Sequence, residues 1–311
     1  MGETPDLSVK LGALELKTPV LAASGTYGAG REAEAFVDLA LIGGIIVKSM
    51  TLVPWRGKPT PRMVETPSGM LNSIGIQNKG VDYFIAEDLP WLVRKKATVI
   101  ASIAGNTVDE FVRVADKLRT GGRGLAAVEI NISCPNLEDR HNMFAHSASA
   151  AAEVVAGVKE ALPRLPVFPK LSPNVTSLVE IAGAVVEAGA DGLSLINTVL
   201  GMAISVETRT PMLAGTVGGL SGPAIRPVAV RAVHDVHREF PHMPIIGQGG
   251  IMTARDALEM IIAGASAVAV GSANFVDPRS PVLIAKGIHD YLTGHELTSL
   301  SELTGSLKLE G

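Results

Sequence analysis

The chain is patterned by short apolar runs set between longer segments in which apolar residues recur at helical spacing. Eight runs stand out: Pro19–Ala23, Gly44–Val47, Thr98–Ser102, Ala127–Asn131, Val167–Lys170, Gly192–Ile196, Pro244–Gly247 and Ala267–Val270. They read as continuous rather than alternating, the pattern of strands covered on both faces. The segments between them are amphipathic, as in Val108–Leu118, Ala150–Ala161, Ser177–Ala188, Ala224–Val236 and Ala254–Ile262. Strand–helix alternation on this scale predicts parallel βαβ units, and eight of them predict an α/β fold closed as a (β/α)8 TIM barrel. Ahead of the first strand, Leu7–Leu16 predicts a short hairpin turning at Gly12 and plugging the barrel from below. The apolar run from Met260 to Val276 approaches membrane-span length, but Gly264, Ser266, Gly271, Ser272 and Asn274 interrupt it. A helix end followed by a buried strand accounts for it better than a bilayer does.

Two connections exceed ordinary βα loops: Thr51 to Gly80 after the second strand, and Asn197 to Pro223 after the sixth. Long loops in compact domains are usually functional. No linker separates them from the rest, so residues 1–311 read as one domain with elaborated loops on the barrel's upper face. In this architecture the active site lies at the C-terminal ends of the strands. Those ends read Ser24, Lys48, Ser102, Asn131, Lys170 and Asn197, then Gly249-Gly250 and Gly271-Ser272. Any one of these is explained as a helix cap or turn residue. Two lysines and two asparagines converging on one face have no such structural reason. Glycines after strands seven and eight let the backbone approach an anion closely and point to a phosphorylated ligand. The Gly25–Gly30 stretch lacks the G-x-G-x-x-G spacing and an acidic ribose partner, which argues against a dinucleotide loop.

Composition narrows the picture further. Apolar residues make up 47% of the 311 and aromatics only 4%, so Ala, Val, Ile and Gly must fill the interior. A net charge of -4 with both signs interspersed offers no basic patch for nucleic acid. Met1 to Lys10 is polar and carries no secretory pattern, so the expected location is cytoplasmic, with no membrane association. The single cysteine, Cys134, excludes an intrachain disulfide, a dithiol centre and a cluster held by four cysteines of this chain. A buried cysteine is ordinarily an inert small hydrophobe. On a catalytic-face loop beside Asn131 and near lysines, a thiol of reference pKa about 8.5 is suited to acid–base work. His141 and His146 share that loop at i,i+5 spacing without a carboxylate or thiolate cluster, so no metal site is expected.

These motifs together resemble the class 1 dihydroorotate dehydrogenases, from about Leu7 to the C-terminus. The resemblance rests on Ala23-Ser24-Gly25, Gly69-Met70-Leu71-Asn72-Ser73-Ile74-Gly75-Ile76-Gln77-Asn78 and Asn131-Ile132-Ser133-Cys134-Pro135-Asn136. It extends through Lys170-Leu171-Ser172-Pro173-Asn174-Val175, Asn197-Thr198, Gly218–Ala224 and Gly264–Gly271. It implies FMN held by Ser24, Lys48, Ser49, Asn131, Lys170, Ile196, Gly222, Gly249, Gly250, Gly271 and Ser272. It implies an orotate pocket lined by Lys48, Asn72, Ser73, Ile74, Gly75, Ile76, Asn131, Asn197 and Thr198. Cys134 would be the base, where the membrane-bound class 2 enzymes have a serine, and the loop Pro135–Ser147 would close over the substrate. Related enzymes often carry an asparagine where this chain has Ser102, which leaves Ser102 a weak flavin contact at best.

The implied reaction is oxidation of dihydroorotate to orotate in pyrimidine (UMP) biosynthesis. The wording around Cys134 and Lys170 is most similar to the NAD-linked class 1B subtype. There a homodimer of catalytic chains joins two partner subunits carrying FAD and a [2Fe–2S] cluster, making a heterotetramer. The alternatives are the homodimeric fumarate-linked subtype, a related pyrimidine-reducing flavoprotein, a phosphate-binding isomerase or lyase barrel, and a non-catalytic flavin-binding scaffold.

Overall fold

A computed structural model describes residues 4–133 and 144–309. The chain enters through an antiparallel hairpin, β1 (Val9–Leu11) and β2 (Leu14–Leu16), that turns at Gly12 with φ 62°. Strands β3 (Val20–Ala22) and β4 (Gly44–Ile46) follow, then β5 (Met63–Thr66) and β6 (Gly69–Asn72) within the first long connection. Helix α1 (Val81–Tyr83) runs through a π turn at Phe84–Asp88 into α2 (Leu89–Arg94). The next units are β7 (Val99–Ile103) with α3 (Val108–Gly121), β8 (Leu125–Asn131) with α4 (Ala148–Ala161), and β9 (Val167–Leu171) with α5 (Leu178–Glu187). After β10 (Leu193–Leu195), the second long connection carries β11 (Val199–Gly201), β12 (Ile204–Ser205), β13 (Thr210–Pro211) and β14 (Gly218–Ser221) before α6 (Arg226–Glu239). The last units are β15 (Ile245–Gln248) with α7 (Ala254–Ala263) and β16 (Ala267–Val270) with α8 (Ala273–Val276) and α9 (Ser280–Gly294).

Strands β3, β4, β7, β8, β9, β10, β15 and β16 pair in parallel in that order, and β16 returns to β3 to close the barrel. All eight coincide with the apolar runs, and Met260–Val276 resolves into the end of α7, β16 and α8. Among the described residues, no helix is long and apolar enough to cross a membrane.

Strand alternation divides each apolar run between two cores. Val20, Ala22, Ile45, Val99, Ala101, Val128 and Ile130 face outward into the helix layer. Leu21, Ile46, Ile100, Phe168 and Ile246 face inward, where Leu11, Leu14 and Leu16 of the hairpin pack against them. The hairpin is therefore the expected plug, and each of its buried leucines contributes about 1.5–3 kcal/mol.

Helix starts follow from side-chain caps. Thr107, Ser147, Ser177 and Thr253 accept the free N–H groups of Glu110, Ala150, Glu180 and Asp256 at the heads of α3, α4, α5 and α7. The regular beat departs from expectation in its first unit. Between β3 and β4 the described helix is only the 3₁₀ turn Leu39–Leu41, and α9 packs against β3 instead.

The two long connections meet each other. Their strands form one antiparallel sheet, ordered β11-β14-β6-β5, beside the barrel. Asn78 closes the base of the first connection: its Oδ1 accepts from Thr51 N at 3.1 Å and Gly80 N at 2.8 Å.

Candidate active site

The inward-facing positions change character up the barrel. Above the apolar layer come Ser102 on β7, Glu129 on β8 and Ser194 on β10, all buried. Above these stand Asn131 and Lys170, register partners across β8 and β9. The pocket opens there. Its wall includes Ser24, Lys48, Ser49, Asn131, Lys170, Ile196, Gly222, Gly249, Gly250, Gly271 and Ser272, the whole expected cofactor set. It also includes Asn72, Ile74, Gly75, Ile76, Asn197 and Thr198 from the expected substrate set.

Two expected residues stand apart. Ser73 is 1% exposed and not part of this wall; a Cβ added to Gly215 would lie 2.3 Å from its hydroxyl, which turns toward that backbone. Cys134 and most of the loop expected to close over the site, Pro135–Met143, lie outside the described residues.

The amides are held by a continuous hydrogen-bond network. Asn131 Nδ2 donates to Ser49 Oγ at 3.0 Å, and Asn197 Nδ2 donates to Asn131 Oδ1 at 3.3 Å and to Ser133 Oγ at 2.8 Å. The Thr198 N–H donates to Asn197 Oδ1 at 2.8 Å. Asn72 Nδ2 donates to the Gly219 carbonyl at 3.3 Å, which ties the loop sheet to the pocket. Gly219 has no room for a side chain, because an added Cβ would lie 2.0 Å from Thr198 Oγ1. Asn174 buttresses the same corner: its Nδ2 donates to the Thr198 carbonyl at 3.1 Å and its Oδ1 accepts from Leu200 N at 2.8 Å.

Charge is concentrated in the two lysines. Lys170 is 7% exposed and takes part in none of the ion pairs among the described residues. A buried ammonium in that position favours a negatively charged neighbour. Lys48 stands over the Gly25 turn, its Nζ 3.9 Å from where a Cβ on Gly25 would sit. That loop is anchored by Tyr27, whose hydroxyl donates to Pro278 O at 2.6 Å. Burial, helped by the Asp277 charge, pushes the Tyr27 phenol up to about 12.

Sequence reading missed Gln248, Ser221 and Phe275 in the wall. Gln248 is 4% exposed and its Nε2 has no hydrogen-bond partner among the described residues, an unusual condition for a buried amide donor. Alternation from Ile246 through strand seven was the available signal, since it turns Gln248 inward. Ser102, by contrast, is fully buried beneath the wall and hydrogen-bonded to Ser49 and Glu129.

Glycine loops follow the seventh and eighth barrel strands. Gly249 and Gly250 take φ of 133° and 73°, which other residues rarely adopt. A Cβ on Gly271 would meet nothing nearer than Ala23 Cβ and Thr26 Cγ2 at 4.0 Å, so this backbone borders open space. Outside the strand ladders, no backbone acceptor among the described residues takes the N–H of Gly250, Gly271 or Ser272. Three such donors at the ends of strands seven and eight suit a phosphate.

The family model for dihydroorotate dehydrogenase matches residues 6–292. The chain is 52% identical over 304 residues to a protein of Desulforamulus reducens named dihydroorotate dehydrogenase B (NAD(+)), catalytic subunit, covering 98% of this chain and 99% of that one. A protein of the same name from Geotalea daltonii is 51% identical over 305 residues, with the same coverage. The corresponding protein of Bacteroides thetaiotaomicron is 46% identical over 304 residues, again covering 98% and 99%. With half the residues shared along nearly the whole barrel, the chain belongs to the dihydroorotate dehydrogenase family.

Proposed function

We propose that this chain oxidises dihydroorotate to orotate with FMN, in the cytoplasm, as the catalytic subunit of an NAD-linked enzyme. The observation that carries the reading is the convergence of Asn72, Asn131 and Asn197 with Lys48 and Lys170 on one pocket bordered by glycine loops. Each amide offers both a donor and an acceptor, matching the alternating N–H and C=O groups of a planar pyrimidine. Lys48 answers the substrate carboxylate or the flavin. The residues also fit FMN: the Gln248 amide, unpartnered among the described residues, would meet a ring rich in acceptors, and the N–H groups at Gly250, Gly271 and Ser272 suit its phosphate.

FMN bound there supplies the hydride acceptor at N5. The protein does the rest. Cys134, outside the described residues, would take the proton from the carbon next to the C4 carbonyl. Lys170 would set positive charge beside the negative charge that a reduced flavin gathers.

The electrons leave through a partner subunit carrying FAD and [2Fe–2S], two of each chain forming the assembly. The relatives named as catalytic subunits of a NAD(+) enzyme support this, as does a chain with one cysteine, too few for a Cys-ligated cluster. The test is the visible spectrum of the purified chain before and after anaerobic dihydroorotate. Loss of the yellow absorbance is expected; a colourless protein, or a flavin that dihydroorotate leaves oxidised, overturns the proposal.

A further inference from the structure

Glu129 is a buried carboxylate that the reaction does not use. It faces into the barrel two residues before Asn131, is 1% exposed, and forms no ion pair among the described residues. Its Oε1 accepts from Ser102 Oγ at 3.2 Å and its Oε2 from Ser194 Oγ at 3.1 Å. Burying a charge this way is expensive, and an apolar residue would fill the layer without that penalty.

We propose that Glu129 is a positioning residue that fixes the direction of the hydrogen bonds running from Ser102 through Ser49 to Asn131 and Ser24 in the pocket. The inference rests on the orotate reading of that pocket. A carboxylate can only accept, and a serine hydroxyl has one proton. Ser102 gives its proton to Glu129, so at 2.9 Å from Ser49 it must accept. Ser49 thereby spends its proton on Ser102 and has only lone pairs left. Those lone pairs take Asn131 Nδ2 at 3.0 Å and the Ser24 hydroxyl at 3.3 Å.

Two consequences reach the pocket. Asn131 must hold its NH₂ toward Ser49 and its Oδ1 toward Asn197, whose own amide the Thr198 N–H and the Ser133 carbonyl hold in the matching sense. Ser24 must point its proton down into the barrel and present only lone pairs to the ligand. With a terminal group that can also donate, Ser102 could accept there instead. The proton of Ser49 would then be free to turn toward Asn131, where it opposes the NH₂.

The test uses the FMN-loaded chain and reads orotate affinity, by the flavin absorbance change and by calorimetry, alongside thermal unfolding. Glu129→Gln keeps the size and adds a donor; orotate should bind about tenfold more weakly, the effect of one lost hydrogen bond. Ser102→Ala cuts the same relay while leaving the carboxylate, so it should weaken orotate comparably and serves if Glu129→Gln fails to fold. The double variant should be no weaker than the worse single variant, since both act on one path. Ser194→Ala removes the other arm of Glu129 and should leave orotate affinity unchanged. Wild-type affinity in both Glu129→Gln and Ser102→Ala, additive losses in the double variant, or an equal loss in Ser194→Ala would overturn the proposal while leaving the orotate reading intact. Absence of orotate binding by the unmodified chain would overturn both.

Discussion

Lys170→Met tests the electrostatics of the site most directly. The exchange keeps a long unbranched side chain in the same inward position on β9 and removes only the charge and its donors. Lys170 is 7% exposed, flanked by register partners Asn131 and Ser194 and without an ion-pair partner among the described residues. Its field is therefore directed at whatever occupies the pocket. A unit charge about 4 to 6 Å from negative charge on the flavin ring contributes about 3–4 kcal/mol at an effective dielectric near 20. Water entering through the open mouth reduces that to about 2–3 kcal/mol. For a two-electron couple, with about 30 mV per 1.4 kcal/mol, the variant's flavin potential should fall by about 40–65 mV. The assay is a spectrophotometric redox titration of the bound flavin against a reference dye, with flavin content measured on the same sample. Dihydroorotate should also reduce the variant more slowly, because the driving force for hydride transfer has fallen. A potential within about 10 mV of the parent at full occupancy would refute the placement of Lys170 at the electron-rich edge.

Other outcomes follow from the same geometry. Cys134→Ser should retain FMN and orotate binding but slow flavin reduction by dihydroorotate about 10²-fold or more near neutral pH, measured by stopped flow. One preparation of the chain alone should reduce an artificial dye with dihydroorotate but not NAD+, and an added FAD/[2Fe–2S] subunit should restore NAD+ reduction; robust fumarate turnover would instead indicate the homodimeric subtype. Tyr27 holds its proton more tightly folded than unfolded, so its contribution to stability is complete below about pH 10 and is lost as pH rises toward about 12. Denaturant titrations of Tyr27→Phe should show a shallower loss over that window, by up to about 3 kcal/mol. Asp256, 6% exposed, pairs with Arg226 and accepts from Met252 N, Thr253 N and Thr253 Oγ1 at 2.9–3.0 Å. Asp256→Ala should lose about 3–5 kcal/mol of stability and weaken FMN retention, since Arg226 packs against Gly250.

The barrel was legible because its strands are covered on both faces. A continuous run such as Val99–Ile103 has few other uses in a chain of this composition, and eight of them have one simple closed arrangement. What stayed hidden depends on distant partners. Strands β6 and β14 pair Asn72 with Gly219 across the whole middle of the barrel, and neither Gly69–Asn72 nor Gly218–Ser221 has enough apolar alternation to read as a strand alone. The reduced first helix is of the same kind: α9, nearly the last element of the chain, covers β3, and no local pattern in residues 24–43 announces it.

The site was legible where chemistry and position coincide, and obscure where only alternation could tell. Lys48, Asn131, Lys170 and Asn197 are polar residues that end apolar runs, so sequence alone places them on the upper face. Gln248 also ends its run, but the glycines after it draw attention to the loop. Ser73 sits in the middle of a motif stretch, yet it follows Asn72 at the end of β6, where the change of side carries its hydroxyl to Gly215 and away from the pocket. Glu129 is the clearest case. In Leu125–Asn131 it alternates with Val128 and Ile130, so a reading that counts apolar residues passes over it, whereas one that follows parity puts it inside with Asn131. A charged residue on the inward parity of a barrel strand has no solvent to meet. It must either neutralise a ligand or organise other polar groups, and the two serines bonded to Glu129 indicate the second.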